Sequence, residues 1–163
     1  MPLTNLKELY VDELKDLYSA ENQLIKALPK LADAASDTKL KTAFTSHLKE
    51  TEGHVKRLEQ IFEALGEKPN GKVCKAMKGL VEEGSEILEE EGAPEVIDAA
   101  LIASAQRVEH YEIAGYGAAR TFAQRLGEAD AAKLLQQTLD EEGAADKKLT
   151  TIAEGSVNKK AAA

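Results

Sequence analysis

Carboxylates interrupt the apolar faces of several predicted helices, and they are the side chains of this chain that most directly indicate chemistry. Glu21 lies in a stripe of apolar residues spaced three and four positions apart, the spacing that places side chains on one helix face. The stripe consists of Tyr10, Leu14, Leu17, Glu21, Leu24, Leu28 and Leu31. Removing an ionised carboxylate from water costs several kcal/mol unless it is compensated. The pattern therefore predicts that a cation, a proton or a basic side chain lies beside Glu21.

The same anomaly recurs near the middle of three further predicted helices. These helices carry Glu50 with His47 and His54, then Glu109 and Glu112, then Glu141, Glu142 and Asp146. In antiparallel packing, residues at mid-helix meet at one level of a bundle. Carboxylate oxygen and imidazole nitrogen suit iron or manganese, and a carboxylate that bridges two ions accounts for the number of acids. The sequence therefore predicts a centre for two metal ions.

Some of these candidates compete for the same inward position. The heptad through Leu135 and Leu149 favours Glu142, whereas an internal repeat favours Glu141, and we expect Glu142. His54 has a better claim than His47, and Asp146 is as well explained by solvent exposure as by a ligand role. The predicted ligands are Glu21, Glu50, His54, Glu109 or Glu112, and Glu142.

Arginine pairing is the main alternative to metal. Arg57, Arg107 and Arg120 could neutralise buried acids without any ion. The function would then be that of a metal-free helical protein that dimerises or binds a partner protein.

Composition excludes several other classes. The formal net charge of −8 disfavours nonspecific binding to nucleic acid, which depends on lysine and arginine neutralising phosphates. No apolar run reaches the roughly 18 to 20 residues of a membrane span. Cys74 is the single cysteine and no export signal is evident, so we expect a cytoplasmic protein. There is no glycine-rich phosphate loop, since Gly115 and Gly117 fall inside a predicted helix, where they permit close packing.

Helix-stop and helix-start signals divide the 163 residues into four long helices and one short helix. We predict them at about 4–35, 37–65, 74–90, 94–126 and 128–152. Short links pair the first two and the last two as antiparallel hairpins, and the stretch from Gly66 to Pro94 is long enough to cross the bundle. The predicted fold is an all-α antiparallel four-helix bundle over residues 1–155. Its one long crossover carries the short helix, and residues 156–163 form a flexible tail.

A faint internal repeat supports this pairing of hairpins. Sliding the sequence by 91 positions places Glu21 on Glu112 and Glu50 on Glu141. The two hairpins are therefore predicted to be related to each other.

At these motifs the chain resembles the YciE/YciF-type family of bacterial ferritin-like stress proteins. The resemblance spans nearly the whole length and is carried by Asp16-Leu-Tyr-Ser-Ala-Glu21, His47-Leu-Lys-Glu-Thr-Glu-Gly-His54, Val108-Glu-His-Tyr-Glu112 and Leu139-Asp-Glu-Glu142. It implies a ferritin-like homodimer with two iron or manganese ions per chain. Its candidate substrates are a small oxidant or a metal ion, and its candidate reactions are peroxide consumption or ferrous oxidation.

This chain departs from the broader ferritin-like pattern, in which a histidine follows the glutamate of two helices by three positions. Those positions are Gly53 on the second long helix and Ala144 or Ala145 on the fourth. His54, one position later than Gly53, is the available substitute. Any centre is therefore predicted to be rich in carboxylate.

Overall fold

The computed structural model describes residues 3–163, and the secondary structure in that range is entirely helical. The main helices are α1 (Leu6–Ala34), α2 (Thr38–Leu65), α3 (Lys75–Glu89), α4 (Pro94–Arg125) and α5 (Ala129–Ile152). A π-helical turn (Ala153–Val157) leads into a short α6 (Asn158–Ala161). The predicted all-α fold is confirmed. None of the helices in the described range is both long and apolar enough to cross a bilayer.

Local hydrogen bonds explain where the first two helices begin and end. Asn5 caps α1, one residue after the predicted Thr4, because its side chain accepts from the Glu8 amide at 2.9 Å. Thr4 instead donates its hydroxyl to the Glu8 carboxylate at 2.7 Å. Asp37 caps α2 by accepting from two first-turn amides. Gly66 ends α2 in the left-handed conformation, with φ of 66°, which glycine adopts without steric cost.

The helices pack as two hairpins joined by one crossover. α1 lies against α2 and α4 against α5, and the hairpins meet through contacts of α1 with α4 and of α2 with α5. The crossover carries α3, which packs on α4 and α1. This is the predicted bundle with its short extra helix.

Two apolar cores lie at different levels of the bundle, with a polar layer between them. Along α1, Leu17 belongs to one core and Leu24 to the other, and Glu21 lies between them. Tyr10, Leu14, Leu58, Phe62, Tyr116 and Leu135 fill the first core with Leu17, while Leu28, Leu40, Phe44, Leu101 and Ile152 fill the second with Leu24. Each fully buried large apolar side chain contributes about 1.5–3 kcal/mol. The two cores therefore fix the height at which the polar side chains meet.

Close approach of α1 and α4 requires glycine at one of the two positions where we expected it. A Cβ atom at Gly115 would lie 2.8 Å from Cδ2 of Leu17, closer than atoms in van der Waals contact. A Cβ atom at Gly117 would meet nothing within 4 Å. Only Gly115 is therefore explained by packing.

Asp98, a buried residue of α4, ties the two hairpins together at one end. Its carboxylate accepts hydrogen bonds from the amides of Ser36 and Asp37, both at 2.8 Å. The link between α1 and α2 is thereby held against α4. This contact helps set the relative height of the hairpins.

The carboxyl-terminal segment, for which we predict a flexible tail over residues 156–163, is helical in the structure over most of its length. The helical path continues through the π-helical turn and α6 to Ala161. Val157 is 1% exposed and belongs to the same core as Leu24, and both segments contact α4. The apolar Val157 side chain therefore anchors a segment whose lysines and alanines had suggested a frayed end.

Candidate metal centre

The polar layer consists of six ionisable side chains supplied by all four long helices. They are Glu21 from α1, His47 and His54 from α2, Glu109 and Glu112 from α4, and Glu142 from α5. None is more than 5% exposed. Charges in this layer are therefore screened weakly by solvent and interact strongly with one another.

The six side chains form two overlapping groups, each compact enough to surround one cation. His47, Glu109, Glu112 and Glu142 form one group, and Glu21, His54 and Glu142 form the other. Within each group, one nitrogen or oxygen atom from every residue lies within 4.8 Å of those of the others. Glu142 belongs to both groups and is the one residue of the layer that could contact both cations.

A carboxylate outside the layer orients each histidine. Nδ1 of His47 lies 3.0 Å from Glu50, and Nε2 of His54 lies 2.9 Å from Glu141. Arg57 holds Glu141 through two hydrogen bonds of 2.7 and 2.8 Å. One nitrogen of each ring is thus engaged outward while the other faces the layer, an arrangement that proteins use to orient metal-binding histidines.

Tyr116 closes the layer on the side of Glu21. Its buried hydroxyl donates a hydrogen bond to Oε1 of Glu21, and its ring packs edge-on against His54 with centroids 6.2 Å apart. Burial and the neighbouring Glu21 charge hold the pKa of the Tyr116 hydroxyl well above its ordinary value. The hydroxyl therefore remains a donor that fixes one oxygen of Glu21.

Several polar atoms of the layer have no hydrogen-bond partner among the described residues. Both carboxylate oxygens of Glu112 and of Glu142 are in this state, as is one oxygen each of Glu21 and Glu109. The inward nitrogens of the histidines also lack an assigned hydrogen bond, but each faces a carboxylate: Nδ1 of His54 lies 3.0 Å from Glu142, and Nε2 of His47 lies 3.2 Å from Glu109. Buried polar atoms usually find partners, so this concentration requires a physical explanation.

The electrostatics of the carboxylates show how strongly the layer resists negative charge. Burial, followed by the charges of Glu142 and Glu21, raises the pKa of Glu112 well above its ordinary value. Burial likewise raises the pKa of Glu142. Burial would also raise the pKa of Glu109, but its contact with His47 lowers it instead. Without a metal ion, the layer therefore retains protons on some of its acids.

The histidines respond in the opposite direction. Burial alone would lower the pKa of His54, but its carboxylate neighbours Glu142 and Glu21 raise it to about 10. Burial would also lower the pKa of His47, but its neighbours Glu109 and Glu50 raise it well above its ordinary value. Both imidazoles therefore carry a proton that a metal ion would have to displace.

The structure brings together five of the six predicted ligands, namely Glu21, His54, Glu109, Glu112 and Glu142. Both Glu109 and Glu112 face inward, which resolves the alternative between them. Glu142 is fully buried, whereas the Glu141 side chain is 29% exposed and bound to Arg57.

Glu50 lies outside these two groups. Its side chain is 45% exposed and reaches the layer only through His47. Asp146 also lies apart, at 3.1 Å from Gln106 and 3.2 Å from His110.

His47 is the weaker ligand candidate of the two histidines by sequence, yet both rings enter the layer. A signal for His47 was present, because positions 47 and 54 are seven residues apart and so share one helix face. The sequence offers Arg57 as a counterion for the buried acids. In the structure it neutralises Glu141 at the margin, and no arginine of the described residues pairs with the four buried carboxylates of the layer.

Comparison with known proteins places the chain among its relatives. A family model described as "Domain of unknown function (DUF892)" matches residues 5–162. Protein YciF of Escherichia coli (strain K12) is 50% identical over 162 residues, which cover 99% of this chain and 98% of the relative. The crystal structure of the E. coli stress protein YciF matches with a TM-score of 0.92 over 96% of this chain and 99% of that one. YcfI of Rhodopseudomonas palustris matches at 44% identity with a TM-score of 0.89, over 93% and 96% of the two chains. The chain therefore belongs to the DUF892 family and is a homologue of the stress protein YciF, with a ferritin-like four-helix bundle.

Proposed function

We propose that the polar layer is a two-metal centre for iron or manganese, and that the protein acts in stress responses through redox chemistry at this centre. One observation carries the proposal: both carboxylate oxygens of Glu112 are fully buried and have no hydrogen-bond partner among the described residues. Leaving a buried polar group unsatisfied costs about 1–3 kcal/mol, and more when the group is charged. A bound cation converts this cost into binding energy.

Charge balance is compatible with two ions. The four buried carboxylates and two neutral imidazoles together carry four negative charges when all acids are ionised. Two divalent cations neutralise these charges without any protons. With a single divalent ion, the layer would have to keep protons on its acids or imidazoles to balance the remaining two charges.

The donor atoms suit iron and manganese. Three carboxylates and His47 surround one position, and two carboxylates and His54 surround the other, with Glu142 common to both. Mixed oxygen and nitrogen donors without thiolate favour these metals over soft ones. Glu50 and Glu141 would keep the ring nitrogens aimed at the ions, while Tyr116 would hold Glu21 in place.

Two such ions, when bound, supply paired one-electron chemistry, which suits reduction of a peroxide or oxidation of ferrous iron. The protein's own contribution is to bury the site between two apolar cores, which limits access of water. The E. coli relative is described as a stress protein, which supports a role in stress responses.

Metal analysis tests the proposal. Protein treated with chelator is titrated anaerobically with Fe²⁺ or Mn²⁺ and then desalted, and we expect two ions per chain. Glu112→Gln should lose binding at one position or both, because the amide cannot supply a charged ligand. Glu52→Gln, on the exposed face of α2, is the matched control and should bind as the wild type does.

If the wild type retained far less than one ion per chain, the proposed two-metal centre would be refuted. That result would favour the alternative in which the acids share protons with the histidines and the protein acts as a metal-free, dimeric interaction module. Unchanged stoichiometry in Glu112→Gln would instead remove Glu112 from the site.

A further inference from the structure

A cavity of about 250 Å³ opens between α2 and α5 and reaches the polar layer from one side. His47 and Glu109, both buried, form its floor, and the exposed Glu50 and Lys148 lie at its mouth. Its walls include Ala43, Ala144, Ala145 and Leu149. Since a water molecule occupies about 30 Å³ of the liquid, the cavity has room for a cation that keeps several waters.

The floor of the cavity presents donor atoms that suit a cation. Nε2 of His47 and Oε2 of Glu109 have no hydrogen-bond partner among the described residues, although Nε2 lies 3.2 Å from the other oxygen of Glu109, and both residues are at least nine-tenths buried. Both belong to the four-residue group with Glu112 and Glu142. The cavity therefore leads from solvent to atoms that could receive an ion.

The internal repeat explains why the cavity lies on this side. The shift of 91 positions pairs His54 with Ala145 and Arg57 with Lys148. On the first side, His54 and Arg57 both bind Glu141 and fill the space between α2 and α5. At the matching place in the second hairpin, beside the cavity, Ala145 supplies only a methyl group where the first hairpin has the imidazole of His54. The second hairpin thus leaves open the space that the first hairpin fills.

We propose that this cavity is the route by which divalent metal ions reach and leave the centre, and that the small side chains of Ala144 and Ala145 set its width. The inference rests on the proposed metal centre and adds its route of exchange. A route used in both directions has a specific kinetic signature. Narrowing it slows association and dissociation by the same factor and leaves the equilibrium affinity unchanged.

Two substitutions narrow the cavity at different depths. Ala145→Leu places a larger side chain in the wall, and Ala144→Leu does so at the more exposed rim, where folding is not at risk. Ala64→Leu, on an exposed position of α2 outside the cavity, is the matched control. Circular dichroism and thermal unfolding verify that each variant folds.

The measurement uses Co²⁺, whose visible absorption reports binding to oxygen and nitrogen ligands. Stopped-flow mixing gives the association rate, a chase with EDTA gives the dissociation rate, and titration gives the affinity and stoichiometry. We expect Ala145→Leu to slow both rates by about tenfold or more, which corresponds to about 1.4 kcal/mol in each barrier. Ala144→Leu should slow both rates less, and Ala64→Leu should not change them.

Wild-type rates in both narrowing variants would overturn the route while leaving the metal centre intact. A weaker affinity without matched slowing of the two rates would also overturn it, since the substitutions would then act on the ligands themselves. Absence of Co²⁺ binding by the wild type would instead defeat the metal centre and the route with it.

Discussion

Replacing Glu112 with leucine is expected to stabilise the metal-free protein while destroying its metal site. Glu112 is fully buried, and neither of its oxygens has a hydrogen-bond partner among the described residues. An unsatisfied group of this kind costs about 1–3 kcal/mol. A buried leucine would instead gain about 1.5–3 kcal/mol from removal of its apolar surface from water.

Imperfect fit of the leucine offsets part of this gain, because poor packing in a core costs about 1–3 kcal/mol. We therefore expect the free energy of unfolding of metal-free Glu112→Leu to rise by about 2 kcal/mol. For a chain of this length, about 2 kcal/mol raises Tm by roughly 4–8 °C.

Urea and thermal unfolding in the presence of chelator measure this effect, with Glu52→Leu as an exposed control expected to change stability by less than about 0.5 kcal/mol. When the measurement is repeated with Mn²⁺, the wild type should become more stable than Glu112→Leu. A metal concentration of 100 times Kd stabilises the wild type by about 2.7 kcal/mol, and the variant should gain far less. A loss of about 2 kcal/mol or more in metal-free Glu112→Leu would instead show that the Glu112 carboxylate stabilises the fold through a structural partner.

Further predictions concern pH, the outer hydrogen bonds and helix packing. The pKa of His54 is raised from 6.5 to about 10, so its protonated form stabilises the metal-free fold fully below about pH 6.5. This stabilisation should disappear as the pH rises towards 10. Urea unfolding across that pH range measures the loss. Arg57→Ala should weaken Mn²⁺ binding by about 10-fold to 100-fold in a titration, because it releases the carboxylate that orients a histidine; unchanged affinity would contradict this role. Gly117→Ala should stabilise the protein by about 0.5–1 kcal/mol through helix propensity, whereas Gly115→Ala should lose that gain against Leu17. Equal denaturation midpoints for the two alanine variants would refute the close approach of α1 and α4.

Local sequence pattern determined most of the fold. Apolar residues spaced three and four positions apart, glycine and proline at the helix ends, and short links between helices predicted four long helices and their pairing. These signals act within a few residues, so they can be read without knowledge of distant contacts. The same logic identified Glu21 as an inward-facing charge, because its neighbours along the stripe are apolar.

Only the tertiary structure decided the composition of the polar layer. Each residue turns a helix by about 100°, so a modest rotation of α2 exchanges the inward roles of Glu50 and His47. That rotation is set by packing against α1 and α5, which no local pattern encodes. The pairing of Arg57 with Glu141 and the anchoring of Val157 likewise join residues far apart in sequence.

The sequence by itself determined that ionisable side chains from four helices would meet at one level, because helical periodicity and antiparallel pairing require it. The tertiary structure decided which atoms remain unpartnered there, which carboxylates withdraw to orient the histidines, and where a cavity reaches the site. Those properties depend on side-chain directions and on the space between helices, both of which arise only when the two hairpins pack together.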